Sequence, residues 1–488
     1  MLSIDEIKRF IEEDQNSEQK TLANIGQRYY EAKHDILNYR MFYYNDDGKL
    51  VEDKFRTNVK ISHPFFMILS EQLAAYMLSF TNNPIRATEN AEGLQTHLDT
   101  YFDAQFWAEA GVLCSGAYNK GFEYMYGYKN HQDRLAFACA DSLGVVEVSA
   151  KHSADGKPHT IRRYIDKELT KDGMKNVTKI EVWNDEGVWF FVQDSDTAEI
   201  KRDESVEFNP RPHVVYTNKK TGKKQGKLFN FIPFWRLDNN KNQFSGIKPI
   251  KEHIDDYDIH ACSLSNNLVD FDTPLHLIKG YKGDNLDKLQ QNLKTKKLIS
   301  VGNEGGLEVK TVDIPYEARK MKLEIDKENI FMFGMGFNPT QVGDGNITNI
   351  VIKSRYSLLE LKAKKLTDRL CAVLDNIIEV VLAEINEKNG TDYAREDIYY
   401  EFKRSTLTND SENIANAKIE AETKQVEINT ILNAATVIGD EKTVQLICES
   451  FDIDYKEIKE QLEKSKLDSV ENAKKTLEET VIDDEGDL

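Results

Sequence analysis

Residues 246–271, GIKPIKEHIDDYDIHACSLSNNLVDF, place apolar side chains in alternating steps of three and four: Ile247, Ile250, Ile254, Tyr257, Ala261, Leu264, Leu268 and Phe271. That 3.5-residue period is a coiled-coil seam, and it commits the stretch to one long helix with a narrow sticky stripe. Ser245 stands where an N-cap belongs, Pro249 falls in the first turn where its missing N–H does no harm, and Pro274 ends the run. At 1.5 Å per residue the rod is roughly 38 Å long. Lys251, Glu252, Asp255, Asp256, Asp258, Asn266 and Asn267 occupy the other face and predict a wide, acidic, solvated back. A helix of a compact core ordinarily buries a broader stripe than this. The seam therefore reads either as an ordinary amphipathic surface helix or as a surface for packing against copies of itself or a neighbouring helix in an assembly.

A chain of 488 residues makes two to four domains or one elongated, multi-part subunit. No stretch approaches 18 apolar residues and MLSIDEIKRFIEED lacks the layout of a signal peptide, so the expectation is a soluble, unexported protein. Cys114, Cys139, Cys262, Cys371 and Cys448 are scattered, odd in number and free of CxxC spacing, which predicts reduced thiols and speaks against a disulfide framework or a zinc site. Net charge is −19; residues 411–488 hold 20 acidic and 9 basic side chains, so −11 of it lies there. Such a chain is unsuited to gripping duplex DNA, because phosphate affinity comes from Lys and Arg displacing counterions.

Residues 4–80 read as helices, IDEIKRFIEED, EQKTLANIGQRYYEAKHDIL and FFMILSEQLAAYMLSF, and 93–120 as another. From 134 to 237 the pattern turns to strands (HTIRRYI, VTKIEVWNDEGVWFFVQ, HVVYTN, KLFNFIPFWRL), with NDEG as a hairpin turn. After the 246–271 rod, 273–315 reads as a small strand, helix, strand, strand module, and a second helix follows Pro315 over 316–333. A rod thus goes out, a module sits at its tip, and a helix returns. The glycine-rich GMGFNPTQVGDGNITN (334–349) then enters the longest helix, 350–389, whose stripe is Ile352, Leu359, Ala363, Leu366, Leu370, Val373, Ile377, Val381 and Ile385. Gly390 stops it; a short strand, DIYYEFKRS, further helices and the acidic IDDEGDL, read as disordered, complete the chain.

Motifs for catalysis are sparse. KKTGKKQGK lacks the spacing of a phosphate loop, GMG lacks the third glycine of a dinucleotide fingerprint, and no GxSxG occurs. Asp255, Asp256 and Asp258 have the chemistry for Mg²⁺, but a heptad helix puts them on its solvated back; His253 and His260, seven apart, lack a third ligand nearby. No metal or cofactor is expected. The 16-residue loop is longer than connections in compact domains, which suits a working part as well as a flexible joint. Lys294, Lys296 and Lys297 interrupt an acidic chain and suit either a solvated surface or a contact patch.

The order of these parts resembles the portal proteins of tailed bacteriophages, most closely the siphophage type from phages of Gram-positive hosts. The resemblance rests on NVKISHPFFMILSEQLAAYMLS, FIPFWRLDNNKNQFSGIKPIKEHIDDYDIHACSLSNNLVDFDTPLHLIKGY, GLEVKTVDIPYEARKMKLEIDKENIFMFGMGFN and NIVIKSRYSLLELKAKKLTDRLCAVL, and it spans most of residues 25–390. It implies an elongated, mainly helical α+β subunit, not an enzyme, that assembles into a ring of about twelve copies at a capsid vertex. Within it, 1–245 is the wing, 246–272 the outgoing stem helix, 273–315 the clip and 316–335 the returning stem helix. The tunnel loop is 336–352, a long wing helix and strand 353–400, the crown 401–475 and the tail 476–488. The resemblance further implies double-stranded DNA moving through the ring, and as partners terminase, a head completion or adaptor protein, major capsid and scaffolding proteins, with assembly in the host cytoplasm and no membrane. Asp344, Asn346, Asn349 and Lys353 are then expected near DNA, Asp255 and Asp256 facing the channel, Lys294, Lys296 and Lys297 in the clip contact, and Ile247, Ile250, Ile254, Tyr257, Leu264, Leu268 and Phe271 in subunit packing. A shorter ring-forming adaptor and a metal-dependent nuclease are the alternatives.

Overall fold

The structure, a computed structural model, describes all residues except 55, 131–133, 171–172, 195–197, 218–221, 230, 272–274, 280–305, 311–314, 339–348, 405–409, 451–454, 456–457 and 460–488. Two compact units are distinguished, residues 1–343 with 354–406, and residues 344–353 with 407–488.

The first unit opens with α1 (Ile4–Gln15) and α2 (Glu18–Tyr30). Ser3 and Glu6 form a reciprocal capping box on α1, and Ser17 caps α2, which is why two short polar helices stay separate. A hairpin of β1 (Phe42–Tyr44) and β2 (Leu50–Glu52) follows; the helical reading of 4–80 missed it. Next come α3 (Phe65–Met77), β3 (Ile85–Ala87), α4 (Leu94–Tyr101) and α5 (Ala104–Lys120). The stretch read as one helix over 93–120 is thus two, because the Asp103 side chain accepts from Phe106 N–H and starts α5 afresh.

Two sheets occupy the β-rich middle. β4 (Phe122–Lys129) lies between β5 (Leu135–Ala140) and β13 (Phe234–Asp238). The five-stranded sheet has the order β10 (Ile200–Arg202), β9 (Gly187–Gln193), β8 (Gly173–Asn184), β7 (His159–Thr170), β6 (Val145–Val148), every pair antiparallel. NDEG is the tight hairpin expected, with Asn184 paired to Gly187. One face of this sheet buries Ile161, Ile180, Val182 and Trp189 with Ile7, Phe10 and Ile11 of α1. β11 (Val214–Thr217) and β12 (Lys224–Lys227) form a separate ribbon.

The outgoing helix α6 spans Lys251–Phe271 and residues 246–250 enter it as turns, so the rod is shorter than its sequence pattern. β14 (Leu275–Lys279) pairs with β15 (Gly306–Lys310), and the returning helix α7 (Tyr316–Phe333) starts after Pro315 as expected. α8 (Asn349–Asn389) buries the expected stripe from Leu359 to Ile385 against α3, α4 and α5, while the side chain of Ile352 lies outside the described residues. β16 (Ile398–Tyr400) closes on β3. The second unit holds α9 (Asp410–Ile438) and α10 (Asp440–Ser450), separated by Gly439 at φ +83°. Among the described residues no helix is long and apolar enough to cross a membrane.

Candidate functional site

The seam of α6 divides into two parts. Ile247, Ile250 and Ile254 are fully buried in the subunit's own helical core, and Tyr257 packs edge-on against Phe65 at 4.8 Å, so the expected subunit-packing role does not hold for this half. These side chains are already out of water within one chain and have no surface left to offer. Leu264 is half-buried, Leu268 is 54% exposed, and the side chain of Phe271 lies outside the described residues.

The polar back is likewise not uniformly solvated. Residues 57–63 run extended and antiparallel along α6: His63 meets Asp258, Ile61 meets Cys262, Val59 meets Asn266 and Thr57 meets Asp270. Two extended residues advance about 6.6 Å and four helical residues about 6.0 Å, so strap and helix stay in step. His63 N–H donates to Asp258 at 3.0 Å, Ile61 N–H to Cys262 Sγ at 3.3 Å and Val59 N–H to Asn266 Oδ1 at 2.7 Å. The helix side chains thus stand in for a neighbouring strand, and Asp258 and Asn266 are buried for that reason.

Asp258 is the centre of this contact. Its two oxygens lie 2.6 Å from His34 Nδ1 and 2.7 Å from His63 Nδ1, and His34, fully buried, stacks on Tyr29 with centroids 4.4 Å apart. Burial pushes the Asp258 carboxyl up, but the hydrogen bonds from His34 and His63 outweigh it and hold the carboxyl below its ordinary value. Its neighbours point elsewhere. Asp255 accepts from Tyr29 OH and from Lys251 Nζ at 2.7 Å, inside the subunit, so it does not sit free on a channel wall as expected. Asp256 bonds Lys322 of α7, which also grips the buried Asp326, and is 45% exposed. The three carboxylates diverge to three sets of partners, a geometry unlike a metal site. His253 stacks on Phe333 at 5.1 Å and His260 pairs with Asp256, so these two also go separate ways.

The root of the glycine-rich loop is built as tightly. Gln72 of α3 donates to Phe337 O at 2.8 Å and accepts from Phe337 N–H at 3.1 Å, and the Phe337 ring stacks on Tyr356 of α8 at 4.5 Å. Lys362 Nζ donates to Gly334 O at 2.8 Å, a cation at the C-terminus of α7. The surrounding protein pushes the half-buried Lys362 down to about 7. Gly336 lies close on Leu69: a Cβ would come 2.1 Å from Leu69 Cδ2 and force that buried side chain to move. Gln72, Tyr356, Lys362, His34, His63 and the strap were all missed from the sequence. The i, i+4 row Asp258, Cys262, Asn266, Asp270 was the available signal for the strap.

Of the loop residues, Asp344 and Asn346 lie outside the described residues, as do Lys294, Lys296 and Lys297 of the tip module; Asn349 and Lys353 belong to the first turns of α8, with side chains outside the described set. The module's expected inner helix and the strand KLISV also lie outside.

A model of the family described as "Phage portal protein, SPP1 Gp6-like" matches residues 9–474. The chain belongs to this phage portal protein family. The portal chain is 23% identical over 391 residues to the "Portal protein" of Bacillus phage SPP1, covering 79% of this chain and 75% of that one. It is 25% identical over 429 residues to the "Portal protein" of Clostridium phage phiCD119, covering 84% and 88%. Among solved structures it is similar to a chain of the "Neck of native GTA particle computed with C12 symmetry", at 13% identity and a TM-score of 0.38, over 79% of this chain and 89% of that one.

Proposed function

We propose that about twelve copies of this chain form the ring at one capsid vertex through which double-stranded DNA is packaged and later ejected. The observation that carries the reading is the family match running from residue 9 to residue 474, which takes in every part from N-terminal helices to C-terminal helices. In this reading the parts are wing 1–245, outgoing stem 246–272, clip 273–315, returning stem 316–335, tunnel loop 336–352, long wing helix and strand 353–400, crown 401–475 and tail 476–488. The clip lysines Lys294, Lys296 and Lys297 are the docking contact for terminase and then for a head completion protein, while capsid and scaffolding proteins surround the ring. Asp344, Asn346, Asn349 and Lys353 approach the DNA. The anchored root at Gly334–Phe337 supports this assignment, since a loop that meets moving DNA needs a fixed base. Asp256, not Asp255, is the acid of that pair left to face the channel.

Light scattering and negative-stain imaging of the purified protein test this. Twelve or so copies of a 56.1 kDa chain give about 670 kDa and an axial hole. A chain that stays monomeric at high concentration and with its scaffolding protein overturns the reading.

A further inference from the structure

β6 is an outer strand of the five-stranded sheet, and its free edge is open. Val145 N–H donates to Ser142 O, and Val145 O accepts from Lys20 Nζ at 2.7 Å, so this residue turns away from β7. Backbone groups alternate along an antiparallel ladder: Val146 and Val148 exchange bonds with Ile161 and His159, and Glu147 turns outward as Val145 does. Val145 is satisfied there, whereas the Glu147 N–H and C=O meet no partner among the described residues. A short edge strand is ordinarily guarded by its charges against stray pairing. Here the charge is directed elsewhere, because the Glu147 carboxylate bonds Arg236 of β13.

A cleft of about 580 Å³ lies beside this edge, and α1 forms its other wall. The helix runs antiparallel to β6: Glu6 accepts from Ala154 N–H beyond the end of the strand, and Asp14 lies 3.0 Å from the Lys20 that bonds its first residue. Phe10, Val146 and Val148 make an apolar floor, and Arg9 and Glu13, 4.0 Å apart, stand on the helix rim. Lys151 lines the cleft past the C-terminal end of β6 and pairs with no acid among the described residues. These features together select an extended chain. Another strand offers a C=O and an N–H at the spacing of the Glu147 pair, and its side chains alternate between the apolar floor and solvent. Antiparallel addition brings its N-terminal end to Lys151, where an acid complements the unpaired cation.

We propose that β6 and α1 form a docking cleft for an extended segment of a partner protein, which adds to the sheet as an antiparallel strand with apolar residues on Phe10 and an acid on Lys151. The site goes beyond the ring reading and does not depend on it. Fluorescence anisotropy of the full-length protein with the fluorescein-labelled peptide DDVTVT tests this; its two valines face α1 when the first threonine lies opposite Glu147. Saturable, micromolar binding is expected for the parent and for Glu147→Gln alike. Glu147→Pro removes the outward N–H and leaves the ladder to β7 whole, so it should keep the parent's melting temperature and weaken binding at least about tenfold. The same peptide N-methylated at the first threonine, which cannot donate to Glu147 O, should lose as much with the protein unchanged, and Lys151→Glu should cost about threefold. No saturable binding up to about 1 mM overturns the inference. So does equal binding of the plain and methylated peptides, which means adhesion without strand pairing. A parent that self-associates, stops doing so as Glu147→Pro and takes no peptide overturns it in favour of a second copy on this edge.

Discussion

Asp258 shows how much a single side chain on α6 is asked to do. It is fully buried, carries a charge, and is compensated by two imidazoles and a backbone N–H. Replacing it with Asn keeps the shape but turns part of the acceptor into a donor facing His34 or His63, and should cost about 2–3 kcal/mol at pH 7 in urea unfolding. Because the folded carboxyl is held below its ordinary 3.8, its contribution is complete above about pH 4 and is lost as pH falls through the folded value. The gap between parent and Asp258→Asn should therefore close below pH 4; a gap that is constant down to pH 2 would mean that charge has no part in it. Lys362 behaves oppositely. Its folded value is pushed down from 10.5 to about 7, so between those values the unfolded chain binds the extra proton and stability rises with pH. Melting scans of Lys362→Met should show a shallower rise than the parent from pH 7 to pH 10, and identical slopes would remove Lys362 from the account.

Among the elements, the strap over residues 57–63 is the unexpected one. Among the described residues it pairs with no strand; its backbone N–H groups at 59, 61 and 63 bond one side of α6, and Asn58 and Ser62 reach Tyr39 O and Ala32 O, so it should be held by these few bonds rather than by area. Asn266→Leu leaves the Val59 N–H without its acceptor; it should cost about 1–2 kcal/mol and speed amide exchange across 57–61, with α6 itself unchanged. Uniform exchange in parent and variant would show that the strap is held by other contacts. The long elements were legible in the sequence: α7 and α8 begin and end within a residue of the reading, because Pro315 and Gly390 punctuate them and a 3.6-residue stripe fills α8. What escaped was what periodicity does not carry. The seam of α6 states that Ile250 and Ile254 are buried but not by which chain, and the answer was their own. A polar row at i, i+4 looks like a solvated back unless its partner, two hundred residues earlier and extended, is known. YYNDDGKLV held a hairpin signal in plain view, overridden by the helices on both sides of it.

At the scale of the whole molecule, the ring proposed above has to let DNA pass without holding it. Each copy carries −19, and two of the cations on α6 and α7 are spent inside the subunit: Lys251 on Asp35 and Asp255, Lys322 on Asp256 and Asp326. Counterion release, the main source of duplex affinity, therefore has to draw on the remaining cations of a strongly acidic chain. A protein that neutralises 6–10 phosphates loses about 10³–10⁵ in affinity between 50 and 200 mM salt. Assembled rings of this chain, titrated with a fluorescent duplex by anisotropy over that range, should bind weakly and lose less than about tenfold, a slope of one or two phosphates at most. A steep slope would mean that Lys294, Lys296, Lys297 and Lys353, proposed above for the clip and tunnel loop, make a gripping surface, and DNA would then need the motor to break contacts at every step. A shallow slope fits the proposed channel as a passive guide, in which the acidity of the chain keeps the duplex off the wall and the direction of travel is set from outside the ring.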